Sequence, residues 1–337
     1  MRTRPAKTGR GWLLPVLVAG GLALLPAPSI AKGTKLTVGY SAISGSNIMI
    51  WAAQEAGYFE KHGLDVTLVY ISSGPKAVAA ILAGETPVSI ASGEALVRAR
   101  LSGADVVAFA EQTGTFVFSL ITLPGVKRPE DLKGKALGVT RFGASTHRGL
   151  LEALKHFGLV PGRDVTILQV GGVPEILASM EGGRIAGGVL SPPTSVVAKQ
   201  KGYHELLDIG SLGIPFQQAA LVAREAYIRE HPDVIRAVVK AIVEAIRRVK
   251  TDKALAKRIL TKYTKVQDDA VLEETYRLFV VNHLKPVPYP SEAAVKTVLD
   301  DVAETNPKAR AAQPREFVDP RWLRELEDSG FIRQLSK

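Results

Sequence analysis

Three times before residue 102 the chain repeats one unit: a short apolar strand, a loop of small polar residues, and an apolar stretch with helical spacing. Strands are expected at 36–40, 66–71 and 89–91, with a fourth at 106–110. In the first helix, 48–56, Ile48, Trp51, Ala52 and Ala56 recur on one face. Pro75 opens the second helix, where its missing N–H costs nothing. Such alternation specifies an α/β fold, a parallel sheet with helices on its faces. The polar loops then share one edge, beyond the carboxyl ends of the strands, where open α/β sheets bind small ligands. Candidate binding residues on that edge are Ser41, Ser44 and Gly45 in the first loop and Ser72 and Ser73 in the second. Ser92, Gly93 and Glu94 follow in the third, and Glu111 ends the fourth strand.

After Thr113 the alternation restarts, with strands expected at 116–122, 136–140, 165–170, 185–190 and 206–209. Helices are expected at 146–157 and 174–181, and Ser191-Pro-Pro193 opens another. The stretch 127–149 is the most informative. Its strand runs into Arg141-Phe-Gly-Ala-Ser145 and a helix for which Ser145 or Thr146 is the expected N-cap. A helix start presents unpaired N–H groups and about half a positive charge. Arg141 either adds a forked donor for an anion or lies solvated on the rim. Gly172 and Ser191 complete this second set of loops. Residues 218–223 read as a strand crossing back to the first sheet. From His231 the chain is almost all helix, and Val234, Val238, Ile242, Ile246 and Val249 form one stripe of the first of these. The later helices, at 253–261, 269–282, 292–304 and 321–329, are expected to pack on the first domain as structural elements.

A length of 337 residues suits two domains. Neither includes the N-terminus. Arg2, Arg4, Lys7 and Arg10 precede an apolar run at 12–25, and small residues lead up to Ala31. That is the pattern of a secretory signal peptide over 1–31, too short in its apolar part for a spanning helix. Its removal would take four positive charges and leave a net charge of +6. The chain has no cysteine, hence no disulfide, thiolate metal site or lipid-anchoring thiol. The basic run Arg247-Arg248-Val-Lys250 lacks interleaved aromatics and reads as a solvated helix face, so no nucleic-acid partner is expected.

The order of these pieces resembles the substrate-binding proteins of ABC transporters in the nitrate/sulfonate/taurine and thiamine-pyrimidine group. The likeness is carried by Val38-Gly-Tyr40, by Ala56-Gly-Tyr-Phe-Glu-Lys-His-Gly-Leu64, by Arg128-Pro-Glu-Asp-Leu-Lys-Gly-Lys-Ala-Leu-Gly138, and by Ala223-Arg-Glu with His231-Pro-Asp233. It covers about 34–285. The resemblance implies a type II periplasmic-binding-protein fold, with two lobes of parallel-rich mixed sheets joined by a double crossover. One lobe would be 34–113 with 216–337, the other 118–210. The hinges would lie near Gln112–Thr115 and Gly213–Gln217. It also implies a periplasmic monomer that captures a small polar ligand and delivers it to a membrane permease with its ATPase.

The ligand's charge stays open at this point. Arg141 and the helix starts favour a sulfonate or carboxylate; Glu94 and Glu111, if they face the cleft and are not ion-paired, favour a cation or heterocycle. Phe142 or Phe116 either stacks on a ring or closes a core. No catalytic residue, cofactor or metal site is expected. The six histidines show no HxH or HExxH spacing, no Gly-x-Ser-x-Gly turn occurs, and the cysteine-rich segment of the pyrimidine synthases on this fold is missing. An enzyme on the same fold and a ligand sensor are the alternatives.

Overall fold

The computed structural model describes residues 1–4, 6 and 33–335; the expected signal peptide, apart from residues 1–4 and 6, lies outside the described residues. The first strand, β1 (Thr34–Tyr40), buries Leu36 and Val38 and exposes Thr34 and Lys35. It is followed by α1 (Ile48–Glu55), α2 (Tyr58–Lys61), β2 (Leu64–Tyr70), α3 (Gly74–Leu82), β3 (Val88–Ala91), α4 (Gly93–Leu101) and β4 (Val106–Thr115). A second series comprises β5 (Ser119–Thr122), β6 (Lys135–Val139), α5 (Ser145–His156), β7 (Val165–Gln169), α6 (Val173–Glu181), β8 (Gly187–Leu190), α7 (Thr194–Gln200) and β9 (His204–Asp208). The chain returns through β10 (Pro215–Arg224) and ends in α8 (Glu225–Glu230), α9 (Pro232–Thr251), α10 (Lys253–Thr264), α11 (Asp269–Tyr276), α12 (Glu292–Val302), α13 (Arg321–Asp328) and α14 (Phe331–Leu335).

Two five-stranded sheets result, ordered β2-β1-β3-β10-β4 and β7-β6-β8-β5-β9. In the first, β1 pairs in parallel with β2 and β3; in the second, β6 pairs in parallel with β7 and β8. Each sheet also contains one antiparallel strand that arrives from the other half: β10 lies between β3 and β4, and β5 between β8 and β9. These two crossings give the mixed sheets of the periplasmic-binding-protein fold and aim the carboxyl ends of both sets of parallel strands at the space between the sheets.

The crossing differs in detail from the reading of the residues. β4 continues to Thr115, and 116–118 are not part of β5. Phe116 instead stacks on Phe216, ring centroids 4.2 Å apart, and the Val117 N–H donates to Gln218 Oε1 at 2.7 Å, so it is spent on a side chain. At the other end, the helix expected over 269–282 is α11 followed by a π-helical stretch, Arg277–His283. The apolar stripe of α9 is buried from Val234 to Val249 against α1 and α2, as its spacing predicts.

Not every C-terminal helix keeps to one half. α12 packs on α4 and β10, yet its Asp301 accepts from Arg148 Nη2 of α5 at 2.7 Å. Arg148 also bonds Glu152, and Asp301 Oδ2 is buried with no partner. Burial, opposed by Arg148 and reinforced by Glu152, Glu304 and Glu94, pushes the Asp301 carboxyl up to about 7 from 3.8. The folded chain therefore holds a proton there that the unfolded chain releases, and it loses stability as pH rises from about 4 to 7. Three units correspond to at most about 4 kcal/mol; because Asp301 keeps some contact with water, about 2 kcal/mol is expected. Urea denaturation from pH 4.5 to 8 should show Asp301→Asn gaining about that much on the wild type across the range. A constant difference would mean Asp301 is ionised throughout.

Candidate functional site

The carboxyl ends of the two sets of strands enclose a cavity of about 50 Å³, room for roughly three to five water-sized groups. Its wall is built from helix starts. Ser44, Ser46 and Asn47 lead into α1, Ser73 and Gly74 open α3, Ser92 caps α4, Ala144 to Thr146 open α5, and Val173 opens α6. The strand ends add Gln112, Thr140 and Gln218, while Ser41, Ser191 and Phe118 complete the enclosure. Among the described residues lining it, none carries a charge.

Capping explains what the wall offers. α1 continues from a 3-10 turn, Gly45–Asn47, in which Ser44 Oγ accepts from the Ser46 N–H and the Ile48 N–H donates to Gly45 O. The N-cap residues of α3, α5 and α6 (Ser73, Ala144 and Gly172) make no side-chain capping bond. Their first-turn N–H groups thus point toward the cavity with the positive ends of the helix dipoles behind them. α4 is capped through Ser92 Oγ. Ser145 and Thr146 are the first two residues of α5 and not its N-cap. Their hydroxyls are engaged elsewhere: Ser145 Oγ donates to Gln218 O at 2.5 Å, and Thr146 Oγ1 accepts from Thr140 N and bonds Thr140 Oγ1.

The two halves touch across this cavity. Gly45 N and Ser44 Oγ both donate to Pro192 O, at 3.1 and 3.2 Å, and Ser92 Oγ donates to Gly143 O at 3.5 Å. Three buried polar atoms of the wall have no partner: Ser73 Oγ, Ser191 Oγ and Gln112 Oε1. An unmet buried polar atom costs about 1–3 kcal/mol, which a ligand able to pair with it recovers.

Of the residues read from the sequence, Ser41, Ser44, Ser73, Ser92, Ser145, Thr146 and Ser191 line the cavity. The charged ones do not. Glu94 accepts from Arg98 Nε at 2.8 Å, and Glu111 accepts from Lys285 Nζ at 2.7 Å. Gln112, its neighbour on β4, faces the cavity because successive strand side chains alternate. Arg141 is half-buried and outside the wall; Phe142 is 48 % exposed and sets its ring edge-on to His147 at 5.1 Å. His147 also lies off the wall, and burial lowers its imidazole against the opposing pull of Glu94. Ser72 Oγ accepts from Lys76.

Three glycines serve close packing instead of contact with a ligand. A Cβ on Gly45 would meet Thr275 Cγ2 at 2.5 Å, one on Gly93 Gln217 O at 2.4 Å, and one on Gly172 Tyr70 Oη at 2.5 Å. Wall residues missed in the sequence are mainly Asn47, Gln112, Thr140 and Gln218. Of these, Gln112 enters the sequence reading only as part of a hinge.

A family model described as NMT1/THI5 like matches residues 46–253, more than half of the chain. This chain belongs to the NMT1/THI5-like family. The matched segment runs from Ser46 to the start of α10 and so contains all five helix starts of the cavity wall except Ser44 before α1. The NMT1/THI5-like chain is 32% identical over 238 residues to the taurine-binding periplasmic protein of Escherichia coli (strain K12), covering 60% of this chain and 72% of that one. Its fold matches the alkanesulfonate-binding protein SsuA of Xanthomonas axonopodis pv. citri, solved with MOPS, at a TM-score of 0.69 and 19% identity over 88% of this chain and 98% of that one. It also matches the nitrate-binding protein NrtA of Synechocystis PCC 6803, at a TM-score of 0.74 and 13% identity over 88% and 89%.

Proposed function

We propose that this NMT1/THI5-like protein is the periplasmic binding component of an ABC importer and captures a small organic anion between its lobes. The observation that carries the reading is the wall itself: three uncapped helix starts, those of α3, α5 and α6, converge on an uncharged cavity. Aligned N–H donors stabilise an anion without a formal counter-charge, so the ligand can be bound and released without breaking a buried ion pair. A sulfonate or carboxylate head group suits the cavity's size. No side chain of the wall is placed to act as a general acid, base or charged nucleophile, which supports capture without chemistry. The relatives' names, taurine- and alkanesulfonate-binding, point to the same class, and nitrate-binding to a small anion.

In this reading the lobes are 34–113 with 216–337 and 118–210, and they rotate about the two crossings. The contacts of Gly45 and Ser44 with Pro192 and of Ser145 with Gln218 are those that closure makes. A signal peptide over 1–31 directs the chain to the periplasm, and the closed monomer delivers its ligand to a permease and ATPase. The test is the melting temperature of residues 32–337 against sulfonates, carboxylates, nitrate and neutral or cationic controls. A ligand at a hundredfold excess over its Kd adds about 2.7 kcal/mol, a shift of several degrees. Anions alone should produce it; a flat response to anions, or a shift with cations, overturns the reading. Arg141→Ala should leave the anion response within about twofold, since the Arg141 side chain lies outside the wall.

A further inference from the structure

Most polar groups of the wall are hydroxyls, which donate or accept as a ligand requires. Gln112 is different, because its amide is oriented by a chain of bonds that ends on a pure acceptor. Asn47 Nδ2 donates to the backbone carbonyl of Ala42 at 2.7 Å. That fixes Asn47 Oδ1 toward Gln112, whose Nε2 donates to it at 2.8 Å. Gln112 Oε1 is left as a buried acceptor without a partner, on a side chain only 4 % exposed. Neither amide can flip without facing N–H against N–H or carbonyl against carbonyl. The neighbouring wall amide has the opposite sense: Gln218 Oε1 is taken by the Val117 N–H at 2.7 Å, and its Nε2 remains the donor.

We propose that Gln112, oriented by Asn47, is a specificity-determining residue: the ligand carries an N–H donor, an amine or ammonium, in addition to its anionic head group. The inference rests on the anion-capture reading above and narrows it from anions to zwitterions and amino-substituted anions. The helix starts supply donors to the head group, and Gln112 Oε1 supplies the one acceptor whose polarity is fixed. An anion lacking the donor desolvates Gln112 and returns nothing to it, so discrimination follows from the unmet acceptor.

Matched pairs test this by titration calorimetry on the mature protein: 2-aminoethanesulfonate against ethanesulfonate, 3-aminopropionate against propionate, and 2-aminoethylphosphonate against ethylphosphonate. In at least one pair the amine-bearing member is expected to bind about tenfold or more tighter. Gln112→Leu should bring that ratio close to one. Gln112→Met, of nearly the same length and without an amide oxygen, should do the same, and this variant keeps the test decisive if the leucine variant does not fold. Equal affinity within every pair, or a Gln112→Leu loss that is the same for both members, overturns the role of Gln112 while anion capture stands. Binding of neither member of any pair overturns anion capture itself, and this inference with it.

Discussion

Arg148→Leu is expected to remove about 3–5 kcal/mol of stability at pH 8, the usual consequence of deleting one partner of a buried ion pair. Arg148 is 8 % exposed and is the cation bonded to both Glu152 and Asp301, with a buried and unpartnered oxygen of Glu94 adding negative charge nearby. Without it these carboxylates remain in a region that water reaches poorly. At about 2–4 °C per kcal/mol for a chain of this size, the melting temperature should fall by roughly 10 °C. Part of the loss should return by pH 5.5, as protonation removes charge that Arg148 no longer balances. The exposed pair Arg128–Asp131 is the contrast, and Arg128→Ala should change stability by less than about 1 kcal/mol. A small or pH-independent effect of Arg148→Leu would mean that the cluster is solvated in the native state.

The fold was readable because its signal is repeated. Short apolar strands and helices of period 3.6 alternate from Leu36 to Ile209, and the return strand at 218–223 follows the last β unit with only a 3-10 turn, Ile209–Leu212, between. The errors fall where tertiary contacts replace the ladder. Phe116 to Phe118 have strand-like composition, but they are held by the Phe216 ring and the Gln218 side chain, neither of which is local in sequence. The π-helical turns after α11 leave no mark on the apolar spacing. The role of Asp301 was equally hidden, since α12 has the pattern of any surface helix and its ion pair is formed with a residue 153 positions earlier.

The site was readable to the level of loops and not of residues. Small polar residues after each strand pointed to the right edge of both sheets, and the serines chosen there, Ser72 excepted, line the cavity. The charged residues chosen beside them, Arg141, Glu94 and Glu111, were selected because charge suggests recognition. The structure pairs one oxygen of Glu94 with Arg98 and one of Glu111 with Lys285, and leaves Arg141 on the outside. Which of Glu111 and Gln112 faces inward depends on one residue of strand phase, and β4 runs five residues further than its apolar run suggests. Recognition by helix starts leaves no side-chain signature at all. What marks it is the lack of a cap, as at Ala144, and that becomes visible only when the helix boundary is known.

Gly93→Ala is expected to destabilise the protein by about 3 kcal/mol, the upper end of the range for overpacking. Helix propensity predicts the opposite, since Gly93 is the first residue of α4 and alanine is favoured over glycine in a helix by about 1 kcal/mol. Space decides the sign. The added methyl would lie 2.4 Å from the carbonyl oxygen of Gln217 and 2.8 Å from its Cβ. Gln217 has little room to yield, because it is fully buried in β10 and the chain is pinned on either side of it, Pro215 opposite Thr115 and Ala219 opposite Thr113. Either α4 or β10 must move, and both carry wall residues: Ser92 precedes Gly93, and Gln218 follows Gln217. Loss of stability should therefore come with loss of the anion-dependent melting shift, even at temperatures where the variant remains folded. Gly125→Ala is the control, with nothing within 4 Å of the added carbon and an expected change within about 0.5 kcal/mol. A stabilised Gly93→Ala with an intact anion response would mean that the contact of α4 with β10 is looser than 2.4 Å and that the cavity wall does not depend on it.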